Sequence, residues 1–307
     1  MLISVVVPVY KSFDTLLLLT QQIIENLKTF TEDFEIIYVD DFCPQNSWLR
    51  ILEISKIDPR IKGVKLIRNY GQHAAISAGL QQCSGEWVVI MDCDLQDDPI
   101  YLKNLFQKAT TSVSKIVFAR RSKRQDTFFK KKTSYLFFRI LSYLTDIDFD
   151  ESVANFGIFH KDIISTYNQL NERNKVFPIM VKSLGLNVNY IEVQHNQRSY
   201  GTSSYTLKKR FKLAFEIILS YSNKPLLLIL KLGFFVSFLS VIFAIITLIR
   251  YFYGSITVSG YTSLLFSIWF LSGLIIFIVG FIGLYIGKIF DSIKNRPIYL
   301  IDEQVNI

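Results

Sequence analysis

Two long apolar runs near the end of the chain limit its fold more than any other feature. Leu226–Ile249 carries one charge, Lys231, near its start, and Leu264–Ile286 carries none. Each is roughly 23–24 residues, or about 35 Å as helix, against a bilayer core of about 30 Å. The pair predicts a transmembrane hairpin: a first helix over 225–250, an extracytoplasmic link over 251–263 and a second helix over 264–287. Lys208, Lys209, Arg210, Lys212 and Lys224 precede the first run, and Lys288, Lys294 and Arg296 follow the second, whereas Arg250 is the last charge before the link. The positive-inside rule places both flanks in the cytosol. Neither run has a central charge, and two helices make a poor pore, so transport is disfavoured. Gly273, Gly280, Gly283 and Gly287 are spaced for close helix packing, including between protomers. Tyr205–Ser222 sets Leu207, Phe211, Ala214, Phe215, Ile218 and Leu219 among basic residues. That predicts an amphipathic interfacial helix over 205–224, with a helix packed on the preceding domain as the alternative. The tail, 288–307, returns to the cytosol, with room for another short interfacial segment.

The first 204 residues read differently. Ile3–Val7, Phe34–Val39, Val64–Ile67, Trp87–Met91 and Lys115–Ala119 are short apolar runs, the pattern of strands buried on both faces. Helical spacing falls between them, at Leu16–Leu27, Trp48–Ser55, Ala74–Gln82 and Ile100–Ala109. Strand alternating with helix predicts an α/β domain with a doubly wound, mostly parallel sheet. Met1–Val5 has no basic leader and reads as part of a strand rather than a signal peptide. Cys43, Cys83 and Cys93 form no paired framework and suit a reducing compartment. There is no GxGxxG and no GxxxxGK[ST], which argues against a dinucleotide dehydrogenase or a P-loop NTPase.

Carboxylates mark two of the strand ends. Asp40-Asp41 closes the second strand, and Asp92, Asp94, Asp97 and Asp98 follow the fourth. Ligands of open α/β sheets bind just past the carboxyl ends of the strands. Carboxylates this close repel one another unless something positive lies between them. A divalent cation with oxygen ligands, bringing substrate phosphates, fits; a polar turn before Pro99 is the other reading. Asp97 and Asp98 read as helix-start residues before Pro99. Arg120, Arg121, Lys123, Arg124, Lys130, Lys131 and Lys132 then crowd a stretch that includes Phe128 and Phe129. A solvated basic face and a site for phosphates or anionic head groups both account for it. The formal net charge of +8 could suit nucleic acid, but no nucleic-acid motif is present, so the expectation is no nucleic acid.

The residues now in view resemble a known family. Val5-Val6-Val7-Pro8-Val9-Tyr10, Tyr38-Val39-Asp40-Asp41, Arg68-Asn69-Tyr70-Gly71-Gln72-His73 and Met91-Asp92-Cys93-Asp94-Leu95-Gln96-Asp97-Asp98-Pro99 are similar to motifs of the family 2 glycosyltransferases of GT-A fold. The likeness is strongest to the polyprenyl-phosphate branch, GtrB-like and dolichol-phosphate mannose synthase-like. Arg198-Ser199-Tyr200-Gly201-Thr202-Ser203 resembles that branch's Arg-x-x-Gly-x-Ser motif, and Pro225 and Asn295-Arg296-Pro297 extend the likeness along nearly the whole chain.

The resemblance implies roles. Asp92 and Asp94 match the motif that holds Mg²⁺ or Mn²⁺ on a sugar nucleotide's pyrophosphate, and Gln96 adds a third metal contact. Asp40 and Asp41 match the acidic pair near nucleobase and ribose, with Pro8, Tyr10, Arg68 and Asn69 lining that pocket. Arg120, with Lys130, Ser134 and Arg198, matches positions near the acceptor phosphate, and Arg120 also counts among the catalytic residues with Asp92 and Asp94. Phe42-Cys43-Pro44 stands where many relatives have Gly-Ser, and Ala154-Asn155-Phe156-Gly157 where GtrB-like enzymes often have Gly-Asp-Phe-Arg, so an acidic role is lost at Asn155. His73, Cys93 and His195 are read as structural.

The implied activity is inverting transfer of a sugar from a nucleotide sugar to a polyprenyl phosphate, undecaprenyl phosphate foremost. It would occur at the cytosolic face of the plasma (inner) membrane, for cell-surface polysaccharide or lipid glycosylation. The implied assembly is a homo-oligomer, a tetramer by analogy with relatives. One alternative is a membrane-tethered transferase acting on a lipid-linked oligosaccharide or other lipid acceptor. The non-enzymatic alternative is a membrane scaffold with a degenerate transferase domain.

Overall fold

The computed structural model describes residues 2–121, 137, 139–145, 147, 152–170, 172, 175–194, 215, 217–253, 260–294 and 296–307. The chain divides into two compact units. The first comprises Met1–Ile140, Ile147–Thr206 and Arg296–Ile307, and the second Leu141–Asp146 and Leu207–Asn295.

The first unit is built on an eight-stranded sheet. Its strands are β1 (Ile3–Val9), β2 (Phe34–Asp40), β3 (Ile61–Leu66), β4 (Trp87–Ile90), β5 (Ile116–Arg121), β6 (Val153–His160), β7 (Asn189–Val193) and β8 (Ile301–Val305), in the order β7-β5-β6-β4-β1-β2-β3-β8. The helices between them are α1 (Leu16–Leu27), α2 (Ser47–Ile57), α3 (Gln72–Leu80), α4 (Leu102–Thr111), α5 (Lys161–Gln169) and α6 (Phe177–Ser183), with a 3-10 turn at Pro99–Tyr101. Every residue of β1, β2 and β4 is buried, as runs without polar alternation require. Helix α1 buries Leu16, Leu19, Thr20, Ile23 and Leu27, one stripe at helical spacing, and exposes Leu17 and Leu18. Helix α3 lies so close to the sheet that a Cβ at Gly79 would stand 2.5 Å from Val6 Cγ1.

The sheet is mixed but mostly parallel, six of its eight strands running in one direction. β1 pairs in parallel with β2 and β4, as do β2 with β3 and β5 with β7. β6 enters antiparallel between β4 and β5, and β8 is antiparallel to β3. β1 therefore sits where the strand order reverses, the position at which open α/β sheets place their ligands.

The tail corrects the expectation of an interfacial segment. Ile301–Val305 is an edge strand, fixed by Trp48 Nε1 donating to Glu303 Oε2 (3.0 Å), by Lys65 paired with Asp302 (2.8 Å), and by Asn306 Nδ2 donating to the Ser55 and Ile61 carbonyls (2.9 Å each). An edge strand covered on one side needs no apolar run, which is why its sequence is polar.

The second unit contains two long helices, α7 (Lys224–Phe252, 29 residues) and α8 (Tyr261–Ile293, 33 residues). Among the described residues one stretch, Phe270–Ile293, is long and apolar enough to cross a membrane, with mean hydropathy 2.4 and none of it buried. Tyr285 Oη donates to the Ser222 carbonyl at 3.0 Å, and Lys288 Nζ to Ser220 Oγ at 3.2 Å. The expected amphipathic helix lies mostly outside the described residues.

Candidate functional site

The carboxyl ends of β1, β2 and β4 are adjacent in the sheet, so Tyr10, Asp40-Asp41 and Asp92–Asp97 emerge along one edge. The backbone there is unusual. Lys11, Phe42 and Leu95, each just past one of those strands, have φ of 58°, 54° and 60°, three of the five non-glycine residues in the left-handed region among those described. Such conformations cost energy for residues with a Cβ and cluster at ligand sites.

Asp40 and Asp41 are both buried. Asp41 accepts from the Tyr70 amide (Oδ1, 2.7 Å) and the Gly71 amide (Oδ2, 2.9 Å), and its carbonyl accepts from Asn69 Nδ2 at 3.2 Å. One side chain thus pins the β3–α3 loop to the end of β2. Gly71, at φ 94°, supplies the turn into α3. Asp40 Oδ1 accepts from the Cys43 amide at 3.3 Å. Burial pushes both carboxyls up to about 6; for Asp40 the neighbouring Asp41 adds to this, while Lys65 opposes it.

The β4 loop holds the second acidic group. Asp92 Oδ1 accepts from Gln72 Nε2 at 2.6 Å, and the Asn155 side chain donates to the same carboxylate. Asp94 Oδ1 accepts from the Gln96 amide at 3.2 Å. Burial raises Asp92 above the ordinary carboxylate range, Asp94 adds to the rise, and Arg121 opposes it.

Asp97 corrects its reading as a helix-start residue. It is buried, its Oδ2 faces the Asp92 amide at 3.4 Å, and burial and Asp92 raise its pKa while Arg121 lowers it. Asp98 does start the helix: it caps the 3-10 turn by accepting from the Ile100 amide at 3.0 Å.

The other expected residues are placed as follows. Pro8 is buried within β1, and Tyr10 is 41% exposed. Arg68 stacks its guanidinium over Tyr70, 4.7 Å from the ring centroid. Arg120 donates to Ser152 Oγ at 3.2 Å and lies over Tyr190 of β7. Its neighbour Arg121 is the cation whose field reaches Asp92 and Asp97, and its buried Nε has no hydrogen-bond partner. Lys130, Ser134, Arg198 and His195 lie outside the described residues. His73 has its Nδ1 buried without a partner, and burial lowers its pKa to about 4. Cys93 is buried against Ser12 Oγ (2.9 Å), and its carbonyl accepts from Thr15. Both fit structural packing.

From sequence Gln72 has no role beyond its motif, Asp97 reads as a helix-start residue and Arg121 only as part of a basic run. Strand parity could have found Arg121: Val117 and Ala119 share a core cluster with Val89 and Met91, and a further step of two reaches Arg121, not Arg120.

Among the described residues no three His, Cys, Asp or Glu side chains converge as a finished metal cage. The donor set nonetheless fits Mg²⁺ or Mn²⁺. Asp92 and Asp94 are hard oxygen donors that repel one another, and Mg²⁺ usually takes one or two carboxylates with substrate phosphates rather than an all-protein cage.

The sequence profile described as glycosyl transferase family 2 matches residues 4–175. The chain is 33% identical over 305 residues to an uncharacterized glycosyltransferase, YkcC, of Bacillus subtilis (strain 168), spanning 99% of this chain and 94% of that one. It is 30% identical over 308 residues to the undecaprenyl-phosphate 4-deoxy-4-formamido-L-arabinose transferase of Proteus mirabilis (strain HI4320), spanning 99% and 94%. The crystal structure of mannosyl-3-phosphoglycerate synthase from Rubrobacter xylanophilus superposes with a TM-score of 0.52 at 14% identity, covering 71% of this chain and 72% of that one. The mixed α/β sheet is GT-A-like.

Proposed function

We infer, since the chain belongs to glycosyl transferase family 2, that it transfers a sugar from a nucleotide sugar to a polyprenyl phosphate, undecaprenyl phosphate foremost, with inversion. The observation that carries the reading is the pairing of two acidic strand ends, Asp40-Asp41 and Asp92/Asp94, on either side of β1 at one sheet edge. The first pair is buried, and the adjoining strand-end loops carry the exposed aromatics Tyr10 and Phe42, 41% and 53% exposed, which suits a nucleoside. The second suits a pyrophosphate. The acceptor class rests on likeness to the Proteus mirabilis transferase.

In this mechanism Tyr10, Asp40 and Asp41 bind and orient the nucleoside. Asp92 and Asp94, with Gln96, would hold Mg²⁺ or Mn²⁺, which when bound offsets charge on the departing diphosphate. Arg121 supplies the positive charge that acts on Asp92 and Asp97. Arg120, with Lys130, Ser134 and Arg198, would receive the acceptor phosphate. An acceptor phosphate oxygen attacks the anomeric carbon, the bond from that carbon to the diphosphate oxygen breaks, and a nucleoside diphosphate leaves. The acceptor phosphate is already ionised at neutral pH, so Asn155 need not act as a base.

We assign α7 and α8 to a membrane hairpin. Lys208, Lys209, Arg210, Lys212 and Lys224 before the pair and Lys288, Lys294 and Arg296 at and after its end put both flanks of the hairpin in the cytosol by the positive-inside rule. That arrangement holds the site near lipid phosphates. A homo-oligomer, by analogy a tetramer, completes the proposal. The test is Asp94→Ala in protein that melts like wild type, incubated with undecaprenyl phosphate and a panel of nucleotide sugars. Loss of lipid-linked sugar is expected. Transfer at the wild-type rate would refute the assignment.

A further inference from the structure

Asp92 is held by two neutral amides from two different elements. Gln72 sits in the first turn of α3 and donates to Oδ1 at 2.6 Å. Asn155 sits in β6 and donates to the same carboxylate. The sheet dictates the second contact. β6 runs antiparallel to β4 with Ile90 opposite Gly157, and continuing that register by two residues sets Asn155 opposite Asp92. The fully buried Phe156 and the close packing at Gly157, where a Cβ would stand 2.7 Å from the Val117 carbonyl, hold this part of β6 in place.

Gln72 is fixed as firmly. Asp41 grips the amides of Tyr70 and Gly71 immediately before it. A hydrogen-bonded path therefore runs from the carboxylate at the end of β2, through the turn into α3, to the carboxylate at the end of β4. The two acidic strand ends are parts of one braced frame.

We propose that Asn155 and Gln72 are positioning residues that brace the Asp92 carboxylate from both sides, fixing its orientation for a divalent cation and the donor pyrophosphate. The inference rests on the metal–pyrophosphate reading of Asp92 above. Its chemistry is specific to an amide. Asp92 already has the charges of Asp94 and Asp97 acting on it, with the Arg121 guanidinium opposing them. A fourth carboxylate at 155 would add repulsion and could donate no hydrogen bond. An amide donates without adding charge, which accounts for Asn155 where GtrB-like enzymes often carry an acid. Groups that orient metal-ligating side chains change metal affinity by about 10–100-fold when removed.

The experiment measures Mn²⁺ binding to the purified full-length protein in detergent, without donor or acceptor, by the electron paramagnetic resonance signal of free Mn²⁺. Wild type, Asn155→Ala, Gln72→Ala, the double variant and Asp92→Ala are compared, with melting midpoints in EDTA. We expect each single amide variant to weaken Mn²⁺ about tenfold at a near wild-type midpoint. The double variant should cost less than the product of the two, because both donors serve one carboxylate. Binding within twofold of wild type in both single variants, while Asp92→Ala abolishes it, would overturn the bracing role alone. Equal binding in wild type and Asp92→Ala would overturn the metal reading itself. Gln72 lies outside the core cluster, so Gln72→Ala tests the claim even if Asn155→Ala fails to fold.

Discussion

Asp40→Asn should stabilise the protein at neutral and alkaline pH while weakening nucleotide-sugar binding. The Asp40 carboxyl is 2% exposed. Its pKa rises from the ordinary 3.8 to about 6, through burial and then Asp41, with the Cys43 amide and Lys65 opposing. The folded chain therefore holds that proton more tightly than the unfolded chain does. The resulting stability is fully present below about pH 4 and is lost as the pH rises through about 6. At roughly 1.4 kcal/mol per pH unit, keeping Asp40 ionised at pH 8 costs about 3 kcal/mol. Asparagine keeps an oxygen for the Cys43 amide and removes the charge. The gain at pH 8 should approach 2–3 kcal/mol, or roughly 5–10 °C in melting midpoint for a domain of this size. At pH 5 the folded chain mostly keeps the proton but the unfolded chain has mostly lost it, so the gain should fall to about half, and it should nearly vanish only below about pH 4. Thermal melts of wild type and variant in detergent at both pH values decide it. A gain that is equal at pH 5 and pH 8, or absent at pH 8, would refute the burial argument. The variant's KM for nucleotide sugar should rise alongside the gain.

Other predictions follow from single contacts. Gly85→Ala places a Cβ 2.6 Å from the Ser4 amide nitrogen and 2.9 Å from the Leu2 carbonyl; backbone cannot yield cheaply, so a loss of about 2–3 kcal/mol should appear as a lower melting midpoint. Arg121→Gln should cut kcat/KM about 100-fold, and Arg120→Gln should affect the KM for acceptor more than that for donor, as steady-state kinetics with each substrate varied would show.

Much of the catalytic unit was legible because burial on both faces leaves an unmistakable mark. Strands β1, β2 and β4 are apolar runs, and each ends near the turn or carboxylate that the sequence marks. β8 has no such mark: Ile301–Val305 pairs with β3 at an edge, and its polar residues answer Trp48 and Lys65, more than 200 positions away. β6 was equally opaque, since its Asn155 and Gly157 interrupt the apolar pattern for reasons set by Asp92 and Val117 across the sheet. The carboxylate pairs were visible as residue types at strand ends. Their partners were not, because Gln72, Asp97 and Arg121 gain meaning from strand parity and loop closure rather than from spacing. The exposed apolar surface of Phe270–Ile293, by contrast, follows directly from composition.

The most direct test of the account is the stoichiometry of one turnover. Detergent-purified protein, undecaprenyl phosphate and the nucleotide sugar found active in the panel are incubated, and both products are identified by mass spectrometry. The account predicts one nucleoside diphosphate released for each undecaprenyl monophosphate sugar formed, with inverted anomeric configuration. Release of nucleoside monophosphate with a lipid pyrophosphate sugar, or a sugar placed on a lipid hydroxyl, would contradict it.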